Sequence, residues 1–226
     1  MNYLINELLT FSKIEMKQMR ISVRKGDIMH FLEELSHIFD IVAGEREIDF
    51  IVNLEDTEEE VWFSPSKLER ILYNLLSNAF KYTQPGGYVK LSAKLIKEEK
   101  GTFVQISVKD NGRGIPKEAQ EQIFESYYQV EKRDHREGFG LGLSLTRSLI
   151  HMHKGEIRVE SEINKGSDFI VTLNVSEDAY NPDERSSENI TTEEIQKYNQ
   201  RIKETIELIP EKLTNKEKDP ARESIM

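Results

Sequence analysis

Asn74, Asn78 and Lys81 fall four and three residues apart inside an apolar-patterned stretch. On a helix that spacing puts two amides and an ammonium in one line. Amide oxygens are neutral, hard ligands that suit a cation such as Mg²⁺, and a lysine one turn further on suits the phosphates such a cation bridges. Two glycine clusters follow: Asp110-Asn111-Gly112-Arg113-Gly114-Ile115-Pro116 and Gly138-Phe139-Gly140-Leu141-Gly142-Leu143. Gly112 and Gly114 remove side chains from a turn, so main chain can lie against a flat ligand. Asp110 ends the apolar run Phe103 to Val108 and presents a carboxylate suited to accept hydrogen bonds from an exocyclic amine. The second cluster leads into Leu143-Ser144-Leu145-Thr146, a helix start whose N–H groups and positive dipole end favour phosphate. A flat ring, an exocyclic amine, phosphates and a cation together describe a nucleotide. Taken singly, each signal has a plainer reading: Asp-Asn-Gly is a common turn, a glycine-rich loop is commonly only flexible, and Asn and Lys on a helix usually face water.

Two other phosphate-binding patterns are excluded by inspection. A Walker loop needs Gly-Lys-Ser/Thr, and the chain has no Gly-Lys pair. A dinucleotide fingerprint needs glycine at position 143, which is Leu143, and the loop does not directly follow a strand. With 31 Lys and Arg against 41 Asp and Glu, the net charge of −10 disfavours contact with nucleic acid or an anionic membrane. The absence of cysteine rules out disulfides and thiolate metal sites. No apolar run approaches the ~18 residues needed to span a bilayer, and a cytoplasmic location is expected.

The elements that must position these residues follow from periodicity. Residues 1–19 carry Leu4, Ile5, Leu8, Phe11 and Met19 at helical spacing, a stripe that needs a partner helix. Arg20 to Lys25 reads as a short strand, and Asp27 caps a helix ending near Gly44, in which His30 and His37 are plain helix residues. Strands are expected at Ile48 to Leu54, Val61 to Phe63, Tyr88 to Ile96, Thr102 to Lys109, Glu156 to Ser161 and Asp168 to Val175. Ser64, as a capping hydroxyl, and Pro65 start the helix that carries Asn74, Asn78 and Lys81 and runs to about Tyr82. Lys117 to Phe124 reads as a short helix, Glu131 to Glu137 as a charged surface lid, and Leu141 to about His153 as a helix. Mixed helices and hairpins predict an α/β two-layer sandwich, with a mixed, mostly antiparallel sheet and helices on one face.

In this order the segments resemble the catalytic ATP-binding domain of sensor histidine kinases, in the superfamily that includes gyrase, mismatch-repair and chaperone ATPases. The resemblance rests on an asparagine box (Asn74 to Thr83), a first glycine box (Asp110 to Gly114), a phenylalanine box (Phe124 to Tyr128) and a second glycine box (Gly138 to Gly142), and covers residues 20–175. It implies ATP and Mg²⁺ as ligands. Asn78 with Asn74 would hold the metal, Lys81 would reach the phosphates, and Tyr82 would line the pocket. Asp110 would bind the adenine amine, with Gly112 and Gly114 allowing its close approach. Gly138, Gly140 and Gly142, with the N–H groups of Leu141 and Leu143, would cradle the phosphates, and Lys132, Arg133 and Arg136 would touch the γ-phosphate from the lid. Hydrolysing branches carry glutamate as general base four residues before the metal asparagine; here Asn74 stands there and cannot take a proton, which favours transfer to a protein.

The acceptor departs from the family pattern. Histidine kinases phosphorylate a histidine usually followed by an acid, and none of His30, His37, His135, His151 or His153 is. Residues 1–19 resemble the end of the dimerisation hairpin's second helix. The expected partners are therefore a histidine-bearing dimerisation domain of the same, homodimeric protein and a response regulator or receiver domain, and this chain alone is expected not to autophosphorylate. The segment 176–226 is an acidic linker with a possible helix at 191–209, capped by Thr191 with Glu194, that would dock on the domain or pair with another chain; in hybrid members such a segment leads to a receiver. A nucleotide-binding scaffold without transfer is the alternative function.

Overall fold

A computed structural model describes residues 19–129 and 140–207, together with Ser12 and Met16. The expected helix over residues 1–19 lies otherwise outside the described residues. In chain order the elements are β1 (Arg24–Asp27), α1 (Ile28–Arg46), β2 (Asp49–Leu54), β3 (Glu60–Phe63), α2 (Pro65–Tyr82), β4 (Tyr88–Glu98), β5 (Gly101–Asp110), α3 (Gly142–Met152), β6 (Glu156–Glu162), β7 (Gly166–Asn174) and α4 (Thr192–Glu207).

Five strands form one sheet in the order β2-β4-β5-β7-β6, parallel at β2–β4 and antiparallel elsewhere, while β1 and β3 pair apart from it. Alternate residues face one side. Val89, Leu91 and Ala93 of β4 and Val104, Ile106 and Val108 of β5 are buried in the same core as the apolar faces of α1, α2 and α3. The helices thus cover one face, which is the two-layer arrangement expected from period-2 strands alternating with period-3.6 helices. Phe80 of α2 stacks on Phe39 of α1 at 5.8 Å and meets Phe50 of β2 edge-on at 5.3 Å, locking two helices to the sheet's edge strand.

Several local expectations shift. The first strand begins at Arg24 rather than Arg20, because Ile21 and Val23 are buried elsewhere, with Tyr180, and Val23 pairs in parallel with Arg185 of the distant tail. Asp27 caps α1, accepting from His30 N–H at 3.0 Å, but Gly44 does not end the helix: it continues to Arg46, whose guanidinium holds the Phe80 carbonyl at 3.1 Å. The β4–β5 hairpin runs further at its outer end than its apolar residues suggest, because backbone pairing continues to Glu98 opposite Gly101 regardless of side-chain polarity. Lys117 to Phe124 is not one helix but two 3₁₀ turns, Lys117–Ala119 and Gln122–Phe124. Between them Gln120 turns its amide to the carbonyls of Ile115 and Ser161, at 3.0 and 2.8 Å.

The described part of the tail, residues 176–207, is folded onto the domain. Thr191 and Glu194 form the reciprocal cap, with Glu194 N–H donating to Thr191 Oγ1 at 3.3 Å and Thr191 N–H to Glu194 Oε2 at 3.2 Å. Ile195 and Ile202 are buried, Tyr198 meets Phe31 of α1 edge-on at 5.7 Å, and Arg24 bonds both Glu194 oxygens at 2.9 Å. Arg201 reaches Glu69 of α2 at 3.1 Å. Ile202→Ala is expected to lower stability by about 2–4 kcal/mol, read as a urea midpoint at unchanged slope. A loss below about 0.5 kcal/mol, ordinary for a surface change, would mean that α4 does not pack this way in solution.

Candidate functional site

α2 forms one wall of the site. At 100° per residue, Asn74, Asn78 and Lys81 lie within about 60° of one another around the helix. Asn74 is buried, its Nδ2 donating to Thr146 Oγ1 of α3 at 2.7 Å, while Asn78 and Lys81 are half-buried. The Asn74 amide oxygen lies against Gly142, where a Cβ would come within 2.5 Å of it. With its nitrogen committed to Thr146, the oxygen is the atom of this amide suited to a cation.

The first glycine cluster forms the floor. Asp110 ends β5 and is 5% exposed, and its Oδ1 accepts from the N–H groups of Gly112 at 2.8 Å and Ser167 at 3.3 Å. Burial pushes its carboxyl above the usual range, the two N–H bonds oppose this, and Asp168 adds to the rise. Both bonds fall on Oδ1; among the described residues none goes to Oδ2. The loop that follows is pinned on two sides. On one, Gly112 packs so tightly under the Tyr82 carbonyl, at the end of α2, that a Cβ would overlap it. On the other, Gly114, at φ +71, has no room for a Cβ beside the Glu162 carbonyl, and Asn164 N–H donates to the Arg113 carbonyl at 2.8 Å. Beneath the loop, Ser161 Oγ accepts from Ile115 N–H at 2.8 Å and donates to the Gly166 carbonyl at 2.8 Å.

The second glycine cluster lies partly outside the described residues, which exclude Gly138 and the lid residues Lys132, Arg133 and Arg136. Its described part starts α3. The Gly140 carbonyl accepts from Tyr127 N–H at 2.9 Å, Leu141 is the buried N-cap, and Gly142 and Leu143 occupy the first turn. As first-turn groups, their N–H donors have no partner within the helix. Among the described residues no side chain caps this end, and no acid occupies its first turn, so its positive pole suits an anion. The phenylalanine box anchors the approach to it: Phe124 is buried edge-on to Phe169 of β7 at 6.4 Å.

Asn74, Gly142 and Thr146 thus join the α2 wall to α3, and Gly112, Arg113 and Tyr82 join it to the floor. Sequence reasoning missed Ser167 and the Ser161–Gln120 support, whose only signal was a glycine, Gly166, opening a strand. It also missed His153. Fully buried at the end of α3, His153 donates from Nδ1 to the Leu149 carbonyl at 3.0 Å and accepts at Nε2 from Ser64 N–H at 3.1 Å, just before α2. The Ser64 hydroxyl makes no cap bond, contrary to expectation; it is the backbone of Ser64 that is held, through the imidazole. One neutral histidine therefore ties the start of one site helix to the end of the other.

The family described as histidine kinase-, DNA gyrase B-, and HSP90-like ATPase matches residues 63–177. The chain belongs to this family. The ATPase-family region includes every element that carries the site. Over 225 residues, 95% of this chain, it is 31% identical to histidine kinase P4 of Formosa agariphila, and over 177 residues, 77% of this chain, 34% identical to the sensor histidine kinase WalK of Bacillus subtilis. Full-length ShkA, solved in complex with AMPPNP, matches 77% of this chain at 27% identity with a TM-score of 0.68, over 35% of its own length. The matched region is homologous to the catalytic, ATP-binding domains of sensor histidine kinases. The chain spans 16% of P4 and 28% of WalK. Among the described residues, no helix is long and apolar enough to cross a membrane.

Burial, and secondarily Lys67, lower the His153 pKa to about 4. The folded protein binds this proton more weakly than the unfolded chain, so the contribution of the neutral imidazole is complete above about pH 6.5 and is lost as pH falls towards 4. Glu69, raised to about 7 by burial against the opposing pull of Arg201 and Arg70, contributes the opposite slope over a similar range. The His153 effect is therefore read against a variant. His153→Gln is expected to cost about 1–3 kcal/mol at pH 8, a gap that narrows by about 2 kcal/mol at pH 5 in urea unfolding. A gap independent of pH would contradict the neutral, doubly bonded imidazole.

Proposed function

We propose that this chain is the ATP-binding catalytic part of a sensor histidine kinase, which passes the γ-phosphoryl group of ATP to a histidine on a dimerisation domain of the same protein. The observation that carries the proposal is Asp110: a buried carboxylate whose Oδ1 is fixed by two backbone N–H groups while its Oδ2 takes no bond among the described residues. That is the chemistry an adenine exocyclic amine needs, and Gly112 and Gly114 let the loop backbone close onto the Tyr82 and Glu162 carbonyls, which fixes the loop beside that carboxylate. Tyr82 lines the same pocket. The first-turn N–H groups of α3, at Gly142 and Leu143, with Leu141, Gly140 and Gly138, receive the phosphates. ShkA, the AMPPNP-bound relative in structure, supports the nucleotide assignment.

The residues present also fit a cation of one kind. Among the described residues, no group of three His, Asp or Glu side chains could hold a metal. Two neutral amides, Asn74 and Asn78, suit only an ion that takes most of its counter-charge from phosphate, as Mg²⁺ does. When bound, Mg²⁺ supplies neutralisation of the charge on the transferring phosphate. Lys81, one turn on, adds a positive charge on the same side. No carboxylate stands at position 74 to activate water, and the Asn74 nitrogen is spent on Thr146, so the site favours transfer over hydrolysis.

The acceptor histidine and the phosphoryl-receiving regulator belong to other domains, and the reaction belongs on the cytoplasmic side. Mg-ADP at ~100 times Kd is expected to raise the melting temperature by roughly 5–10 °C, and Asp110→Ala to abolish the rise. The chain alone is expected to show no autophosphorylation and no steady phosphate release, and to phosphorylate a histidine-bearing hairpin joined at its N-terminal end. Nucleotide binding without phosphorylation of that hairpin would favour a scaffold role; no melting rise at saturating nucleotide would sink the site assignment.

A further inference from the structure

Tyr82, the last residue of α2, is held to the first glycine cluster by more than its neighbours in sequence require. Its carbonyl accepts from Arg113 N–H at 3.4 Å, and the guanidinium carbon of the same Arg113 lies 4.4 Å from the centroid of its ring. Lys81 Nζ stands 5.0 Å from that ring. Arg113 is itself tied on the far side, its carbonyl accepting from Asn164 N–H in the β6–β7 turn at 2.8 Å. Its backbone therefore spans the two walls of the loop, and its side chain turns back over the aromatic ring.

Two cations near one half-buried ring differ in what they can do elsewhere. A planar guanidinium stacks well on an aromatic face, whereas a compact ammonium is the better point charge for phosphate. We propose that Arg113 is a positioning residue for the nucleotide: it fixes the Tyr82 ring as a wall of the pocket, so that the ring keeps its place when Lys81 turns to the phosphates. This rests on the nucleotide site proposed above. Arg113 acts through Tyr82 and not on the phosphates themselves.

The test is a double-mutant cycle read by calorimetric binding of AMP, ADP and a non-hydrolysable ATP analogue, the last two with Mg²⁺, to the full 226-residue chain. Arg113→Ala is expected to weaken all three about two- to fivefold, by the same factor, with a fall of no more than about 4 °C in the melting temperature of the ligand-free protein. Arg113→Lys should recover part of the loss, and Arg113→Ala should have no further effect in a Tyr82→Leu background. A penalty that grows from AMP to ATP would mean direct phosphate contact and overturn the proposal. So would an equal penalty in the Tyr82→Leu background, or none at all while the unaltered chain binds normally. Absence of binding by the unaltered chain would instead remove the nucleotide site itself.

Discussion

The site depends on a close fit between backbone segments around Asp110, where the ends of β5 and α2 meet the β6–β7 turn. Gly112 meets the Tyr82 carbonyl, Gly114 meets the Glu162 carbonyl, and Gly166 meets the carbonyl of Asp110 itself, each without space for a Cβ. Main chain packed on main chain leaves little room to rotate or slide, so the carboxylate is aimed by covalent geometry rather than by side-chain choice. The Ser161 and Gln120 bonds beneath the loop satisfy the polar groups this close approach would otherwise strand.

The second requirement is that two helices hold a constant relation. α2 brings the amides and α3 the positive end, and they are joined at two levels: Asn74 to Thr146 near the middle of α2, and Ser64 to His153 where α2 begins and α3 ends. The latter joint works only while the imidazole is neutral, since its Nε2 must accept. Tyr180 reinforces it from the tail, its hydroxyl donating to the His153 and Asn174 carbonyls at 3.3 and 2.5 Å.

Much of this was legible in the chain. The apolar spacing of Leu68, Leu72, Leu75, Leu76 and Ala79 locates α2 and its buried face, and alternation locates the hairpins. The glycine clusters point to close approach because only glycine tolerates it. What could not be read is whatever depends on a distant backbone partner. Ile21 and Val23 alternate like a strand, yet Val23 pairs with Arg185 and both pack with Tyr180. Ser64 carries the right side chain for a cap, but its N–H is taken by a histidine 89 residues away. Arg113 looks like one more polar loop residue until the ring beneath it is placed. Tertiary contacts decide these cases, and sequence periodicity is blind to them.

The tail gives the fold an unusual force path. The chain enters the described fold through residues 19–24 and leaves it through residues 185–207, and the two meet at one corner, where Val23 N–H bonds the Glu184 carbonyl at 2.8 Å, Ser186 N–H bonds the Val23 carbonyl at 2.9 Å, and Arg24 holds Glu194. Because Val23 and Arg185 run in parallel, tension applied between the two ends shears this pairing instead of peeling it. Load applied at the C-terminal side first draws α4 away from α1 and α2, then meets those sheared bonds, and only afterwards reaches the five-stranded sheet. Mechanical strain on the chain is thus met first at this corner, ahead of the sheet whose strand β5 carries Asp110.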